Sequence, residues 1–378
     1  METSATVRKQ RPYIEGIAHT SAGEPTVALS ALNKPATDPT PIFEQFRIGY
    51  ATELLAAAVV DFNVFGRLAT GPKTFADLCA QIGLAERAAN VLFTALRAMS
   101  LLVRGLDGRL DVTPAAREHL VPEAYFEVGG YVGLVSEAPN VRAMVERLRS
   151  NRFAENRPDD AGAAFIFREG LESAMDQEAS ARRLTMALAG RAKNVAPYLA
   201  ANVPLADAKL LLDVGCGTGI YAIACLQQNS GLRAVVWDRP EVLKVAREMA
   251  DSYGVADRIE CVAGDMFADP VPAGADAILL SNVLHDWDVP ECQTLLKRCA
   301  AALPVGGRVL IHDVFLNDDL GGPLPVALYS AALFSLTEGR AYSAGEYREW
   351  LKGAGLTPAA AVIPTLVHCG VLEGVKGS

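Results

Sequence analysis

The chain has 378 residues, 51% of them hydrophobic and 21% charged, and carries a net charge of −9. That length predicts about two domains with a substantial core, and the acidic balance argues against a nucleic-acid partner. There is no apolar h-region at the start, no run near the ~20 apolar residues of a membrane span, and no C-x-x-C pair among seven cysteines, so a reduced, cytoplasmic protein with no membrane partner and no bound metal is expected.

Residues 1–40, rich in Thr, Ser, Ala and Pro, read as a flexible N-terminal arm. Helical periodicity then begins near Phe43 and runs through Leu54, Leu55 and Val59 to Phe65 and Leu68. Thr74 is a candidate N-cap for a helix that Gly83 stops, and a further helix is expected over 86–102 with Ala89, Val91, Leu92, Leu96 and Met99 inward. Residues 101–104 and 109–112, joined by Asp107-Gly108, predict a β-hairpin. Two short helices and a hairpin over 41–122 describe a winged helix-turn-helix. A DNA-reading helix should present Arg, Lys, Asn or Gln on an exposed face. The helix from Glu86 is mostly apolar and has two arginines, Arg87 and Arg97, which suits packing or dimerisation better. A ligand-responsive DNA-binding regulator is the non-enzyme alternative.

Residues 123–205 read as linker and pocket helices at 124–134, 140–148, 163–175 and 179–200, with a polar break at 152–162. From 206 to 378 strands and helices alternate. Strands are expected at 209–214, 232–237, 259–262, 276–280 and 308–314, helices at 326–336 and 344–353, and a terminal hairpin of 360–363 with 366–374. Such alternation predicts an α/β fold, a doubly wound parallel sheet with helices on both faces.

The first strand runs into Asp213-Val214-Gly215-Cys216-Gly217-Thr218-Gly219. Gly215, Gly217 and Gly219 allow a sharp turn and close ligand approach. The spacing is not the dinucleotide G-x-G-x-x-G, and no G-K-[ST] follows for a triphosphate. Asp213 would repel a pyrophosphate but suits a cation, and S-adenosylmethionine carries both a sulfonium and an ammonium. Ligands of such sheets lie beyond the carboxyl ends of the strands. There, Asp238 can accept both ribose hydroxyl protons, and Asp265 can take an adenine amino group with Met266 and Phe267 against the ring. Ser281 can bond the nucleoside or methionine end.

These segments, with Asp238-Arg239-Pro240-Glu241-Val242, Gly264-Asp265-Met266-Phe267 and Leu284-His285-Asp286-Trp287, resemble the S-adenosylmethionine-dependent O-methyltransferases of the caffeic acid, hydroxyindole and bacterial polyketide type. The resemblance covers residues 41–378. It implies a class I methyltransferase Rossmann-like domain over 206–378, preceded by an all-helical winged-helix dimerisation domain whose wing is the hairpin, and therefore a homodimer. It further implies S-adenosylmethionine as cofactor, S-adenosylhomocysteine as product, and Trp287 within the cofactor set. His285 would be the general base and Asp313 the acid that orients it, while His312, on the opposite strand face, would be structural. Met186, Tyr329, Leu333 and Phe334 are the candidate contacts to a small, apolar or aromatic acceptor.

One departure stands out. The family often has a second acid in Gly-[Lys/Arg]-Glu-Arg-Thr, whereas here Gly339-Arg340 is followed by Ala341-Tyr342-Ser343. His285 is then expected to have one carboxylate partner. That opens a C- or N-methyl acceptor, or another base such as Glu169, Glu172 or Tyr329.

Overall fold

The computed structural model describes residues 28–152 and 178–377. The first 27 residues of the expected arm, the helix expected at 163–175, and Glu169 and Glu172 lie outside the described residues. Residues 28–39, expected to be part of a mobile arm, are instead tied down. Ala31 is buried and its N–H donates to Gln227 Oε1 at 2.7 Å, while the Leu29 N–H reaches the Ser252 carbonyl at 3.1 Å. Gln227 donates in turn to the carbonyls of Leu29 and Tyr253, so one side-chain amide satisfies backbone groups that composition alone would leave to water.

Helices α1 (Thr40–Arg47) and α2 (Gly49–Ala56), a π-helical turn, α3 (Val64–Leu68), α4 (Phe75–Ile82) and α5 (Glu86–Ala98) begin the chain. Thr74 Oγ1 accepts the Asp77 N–H, and Gly83 ends α4 at a φ of +70°, which a Cβ would resist. Helix α5 stops short of residue 102 because Ser100 turns left-handed, at φ +61°. Strands β1 (Leu102–Arg104) and β2 (Leu110–Val112) pair antiparallel, so this region is not all-helical. Helices α6 (Pro114–His119), α7 (Gly129–Val132) and α8 (Pro139–Ser150) follow. The helix expected at 124–134 is reduced to α7 and a single 3₁₀ turn, since Gly129, Gly130 and Gly133 weaken it.

Helix α9 (Glu178–Asn202) leads to β3 (Leu210–Val214), α10 (Ile220–Gln228), β4 (Arg233–Asp238), α11 (Pro240–Ser252), β5 (Ile259–Ala263) and β6 (Ala277–Ser281). Then come α12 (Val289–Ala302), β7 (Arg308–Leu316), α13 (Leu324–Leu336), β8 (Tyr342–Ser343), α14 (Ala344–Gly353), β9 (Leu356–Pro358), β10 (Ile363–Pro364) and β11 (Cys369–Lys376). The sheet order is β10-β11-β7-β6-β3-β4-β5, with β3 to β7 parallel and β11 antiparallel to β7. Strands such as Leu211–Val214 and β6 are buried throughout, as central strands covered on both faces must be. The terminal hairpin forms later than expected, pairing Ile363 with Val371, because Val367 and His368 supply the left-handed turn. Chain order reverses between β3 and β6, and the crevice beyond their carboxyl ends is where such a sheet takes a ligand.

Helix α13 is apolar on every side and serves two cores. Val326, Ala327 and Leu333 pack with the sheet's helices, whereas Ala331 and Phe334 pack with α5 and the other N-terminal helices. The two arginines of α5 also face inward. Arg87 bonds the Glu338 carbonyl and Asn151, and Arg97 pairs with Asp319, so neither presents itself to a DNA groove.

Candidate active site

A cavity of about 700 Å³ opens at the crevice and runs from the ends of β4 and β5 to the faces of α1, α9 and α13. Gly215 and Gly217 line it at φ +65° and +55°. A Cβ on Gly217 would meet nothing, so that side of the turn is open to a ligand. Gly219 does not line the cavity; at φ +70° it is the N-cap of α10 and packs on Val236 and Ala246.

Asp238 Oδ2 accepts the Gly217 N–H at 2.9 Å and Oδ1 the Arg239 N–H at 2.7 Å, which ties β4 to the glycine turn. Burial pushes its carboxyl up to about 6. Asp213 is buried with Oδ2 unpartnered, and burial plus the Asp238 charge push it up to about 8. An orphaned carboxyl oxygen beside an open glycine turn fits a cationic ligand. Asp265 Oδ1 accepts the N–H groups of Phe267 and Ala268, which fixes the loop bearing Met266. Phe267 and Trp287 meet edge to face at 4.6 Å on the cavity wall, a slot suited to a flat base. Ser281 lines the cavity, and its Oγ shares a 2.7 Å hydrogen bond with Nδ1 of His312. Burial and the Arg191 charge push His312 down to about 3, which leaves it neutral and structural.

At the other end, the 3₁₀ turn after β6 brings His285 against β7. Its Nδ1–H donates to Asp313 Oδ1 at 2.5 Å, and Asp313 also accepts from the Tyr347 hydroxyl and the Val314 N–H. Asp313 therefore touches His285 and stays off the cavity wall. Nε2 of His285 has Asp286 Oδ1 3.6 Å away, so the ring has two carboxylate neighbours, not the single one expected. The sequence signal was adjacent: Asp286 is the next residue, on the same turn. Burial opposes protonation of His285, but Asp313 and Asp286 outweigh it and raise its pKa. Ala341, where the family often carries its other acid, is wholly buried and offers no carboxylate. Burial pushes Tyr329 up to about 12, which disqualifies it as a base near neutrality.

Tyr329 and Leu333, four apart on α13, line the cavity. Phe334, on the neighbouring face, is buried among the N-terminal helices between Arg87 and Arg147. A helix apolar all round gives no periodicity by which to choose its ligand face, hence the error. Met186 packs on the sheet-side core and does not line the cavity, although Thr185 and Ala187 do. Sequence reasoning missed Arg47, Tyr50, Arg191 and Asn282, which all line it. Among the described residues no group of three or more His, Cys, Asp or Glu could hold a metal, and no helix is long and apolar enough to cross a membrane.

Residues 163–357 match the O-methyltransferase domain family. The chain is 35% identical over 330 residues to 3-hydroxy-5-methyl-1-naphthoate 3-O-methyltransferase of Streptomyces sahachiroi, covering 86% of this chain and 92% of that one. Among solved structures it is 47% identical to an O-methyltransferase family 2 protein from Planctomyces limnophilus complexed with apigenin, covering 92% and 99% of the two chains with a TM-score of 0.83. Human N-acetylserotonin methyltransferase, solved with S-adenosylmethionine, shares the fold at 23% identity and a TM-score of 0.55, covering 92% and 100%. With the fold, the glycine turn and the acids around it on the same cavity, the chain belongs to the O-methyltransferase family and is an S-adenosylmethionine-dependent enzyme.

Proposed function

We propose that the enzyme methylates a hydroxyl on a flat, mostly apolar aromatic molecule, with His285 as general base. The observation that carries this reading is His285 on the cavity wall, its Nδ1–H held by Asp313. Held so, the imidazole keeps its Nε2 lone pair free for a phenolic proton, and Asp286 favours the imidazolium that results. S-adenosylmethionine, when bound, supplies an already activated methyl group. Asp238, Asp265 and Ser281, with Gly215 and Gly217, would hold its polar parts, Met266, Phe267 and Trp287 its base, and Asp213 a positive charge. The chain's remaining task is alignment of the acceptor and removal of its proton. Tyr329 and Leu333 offer a flat apolar wall beside His285, whose ring meets that of Tyr329 edge to face at 5.7 Å. The apigenin complex and the naphthoate-directed relative support a fused or linked aromatic acceptor.

Division into a winged-helix unit over 41–122, linking helices over 123–205 and a catalytic unit over 206–378, against which residues 28–39 are held, fits this mechanism. Exposed Ile42, Phe46, Ile48, Tyr125, Phe126, Tyr131 and Leu134 favour a homodimer formed through the N-terminal region. Seven free thiols suit a reducing, cytoplasmic setting. The test is turnover of flavonoid and hydroxynaphthalene acceptors with methyl-labelled S-adenosylmethionine, reading the product by NMR. A new O-methyl resonance is expected, and a ring-carbon methyl in its place would overturn the assignment.

A further inference from the structure

The acceptor end of the cavity holds two arginines that no carboxylate neutralises. Arg47, in the last turn of α1, is only 8% exposed, yet among the described residues it makes no hydrogen bond and no ion pair. Its guanidinium lies over the Tyr329 ring at 3.9 Å. Stacking engages the flat face of a guanidinium, and leaves its in-plane N–H donors without acceptors. Arg191 of α9 lies 5.6 Å from the same ring. It donates to Asn282 Oδ1 and to Cys369 Sγ, both at 2.8 Å, while its buried Nε has no partner. Both arginines line the cavity. The carboxylate whose charge Arg191 feels, Asp313, is committed to His285, Tyr347 and the Val314 N–H.

Buried cations are ordinarily paired, and a planar fork with free donors is matched to a carboxylate. The ring they flank also touches the base. We infer, building on the reading above, that the acceptor is an aromatic hydroxy acid, whose carboxylate is taken by Arg47 and Arg191 while its hydroxyl lies at His285. Two anchors, one anionic and one protic, fix which ring position is methylated. The rival owner of such a carboxylate is the methionine end of the cofactor. Arg47 argues for the acceptor, since it reaches the cavity from α1 by way of Tyr329, on the side of the base.

The test is calorimetric titration of the full chain, loaded with S-adenosylhomocysteine, with 3-hydroxy-2-naphthoate, its methyl ester and 2-naphthol. The acid is expected to bind at least tenfold more tightly than either neutral compound. Arg47→Gln should collapse that preference towards unity, and Arg47→Lys should restore part of it. Failure of the wild-type chain to prefer the acid, including failure of all three compounds to bind, overturns the proposal. So does an Arg47→Gln variant that keeps the preference but loses S-adenosylhomocysteine, because the arginine then serves the cofactor. A folded wild-type chain that binds no S-adenosylhomocysteine would instead count against the methyltransferase reading itself.

Discussion

The two ends of the cavity are built by different means. The end proposed to hold the cofactor is made of short chain segments: a glycine turn, single acids at strand ends, and backbone N–H groups that those acids fix, as Asp238 fixes Gly217. The end proposed to hold the acceptor is made of long side chains from helices far apart in sequence, with Arg47, Arg191 and Tyr329 meeting only in three dimensions. The first kind of site is set by strand order and by the backbone at its turns. The second is set by which face each helix presents, and can be retuned one side chain at a time.

Substitutions at the two ends should therefore separate chemistry from cofactor binding. His285→Ala is expected to lower kcat by about 10²- to 10⁴-fold, the usual worth of a positioned base, while the affinity for S-adenosylmethionine stays within twofold, about 0.4 kcal/mol. Single-turnover kinetics with calorimetry would read both, and undiminished turnover removes His285 from the mechanism. Asp238→Ala should do the reverse, weakening the cofactor by roughly 10- to 100-fold, the scale of lost hydrogen bonds to a charged group. If the variant bound the cofactor normally, the ribose assignment would fail.

The pH profile sharpens the contrast further. A base must be neutral to act, and the folded pKa of His285 lies above its ordinary 6.5, so kcat/KM should climb with pH along a limb centred above 6.5. Asp286→Asn removes one of the carboxylates that raise it and should move that limb to lower pH. A limb that stayed put would mean Asp286 is not felt. At the cofactor end, Asp213 with a pKa near 8 is largely protonated at neutrality, and a cationic ligand favours its ionised form. S-adenosylmethionine should accordingly bind with release of up to one proton, and more tightly as pH rises towards 8, with no further gain from Asp213 above it. Calorimetry in buffers of different ionisation enthalpy measures the proton count, and a count of zero at pH 7 excludes Asp213 as the site of the charge.

What was legible in sequence follows the same division. Strands β3, β4 and β6 declared themselves because an apolar run meets a polar residue, Asp213, Asp238 or Ser281, at or next to its carboxyl end. The caps Thr74 and Gly83 did so by local chemistry. Phe334 and Met186 were misplaced because an apolar helical residue looks the same whether it faces a core or a ligand. Arg47 was passed over since a lone arginine at a helix end reads as a solvated charge until burial is known. The second carboxylate at His285 was sought near Ala341, where the family often carries it, while Asp286 stood one residue away.

Helix α13, which presents Tyr329 and Leu333 to the cavity, has its other faces embedded in both hydrophobic cores. No denaturation of the winged-helix region can leave that helix's surroundings intact, nor can the sheet melt without exposing Phe334. The described regions should then lose structure together, in one cooperative transition by calorimetry and by near-ultraviolet dichroism alike. An acceptor resting on this single helix would raise the melting temperature of the whole molecule, by mass action on the native state.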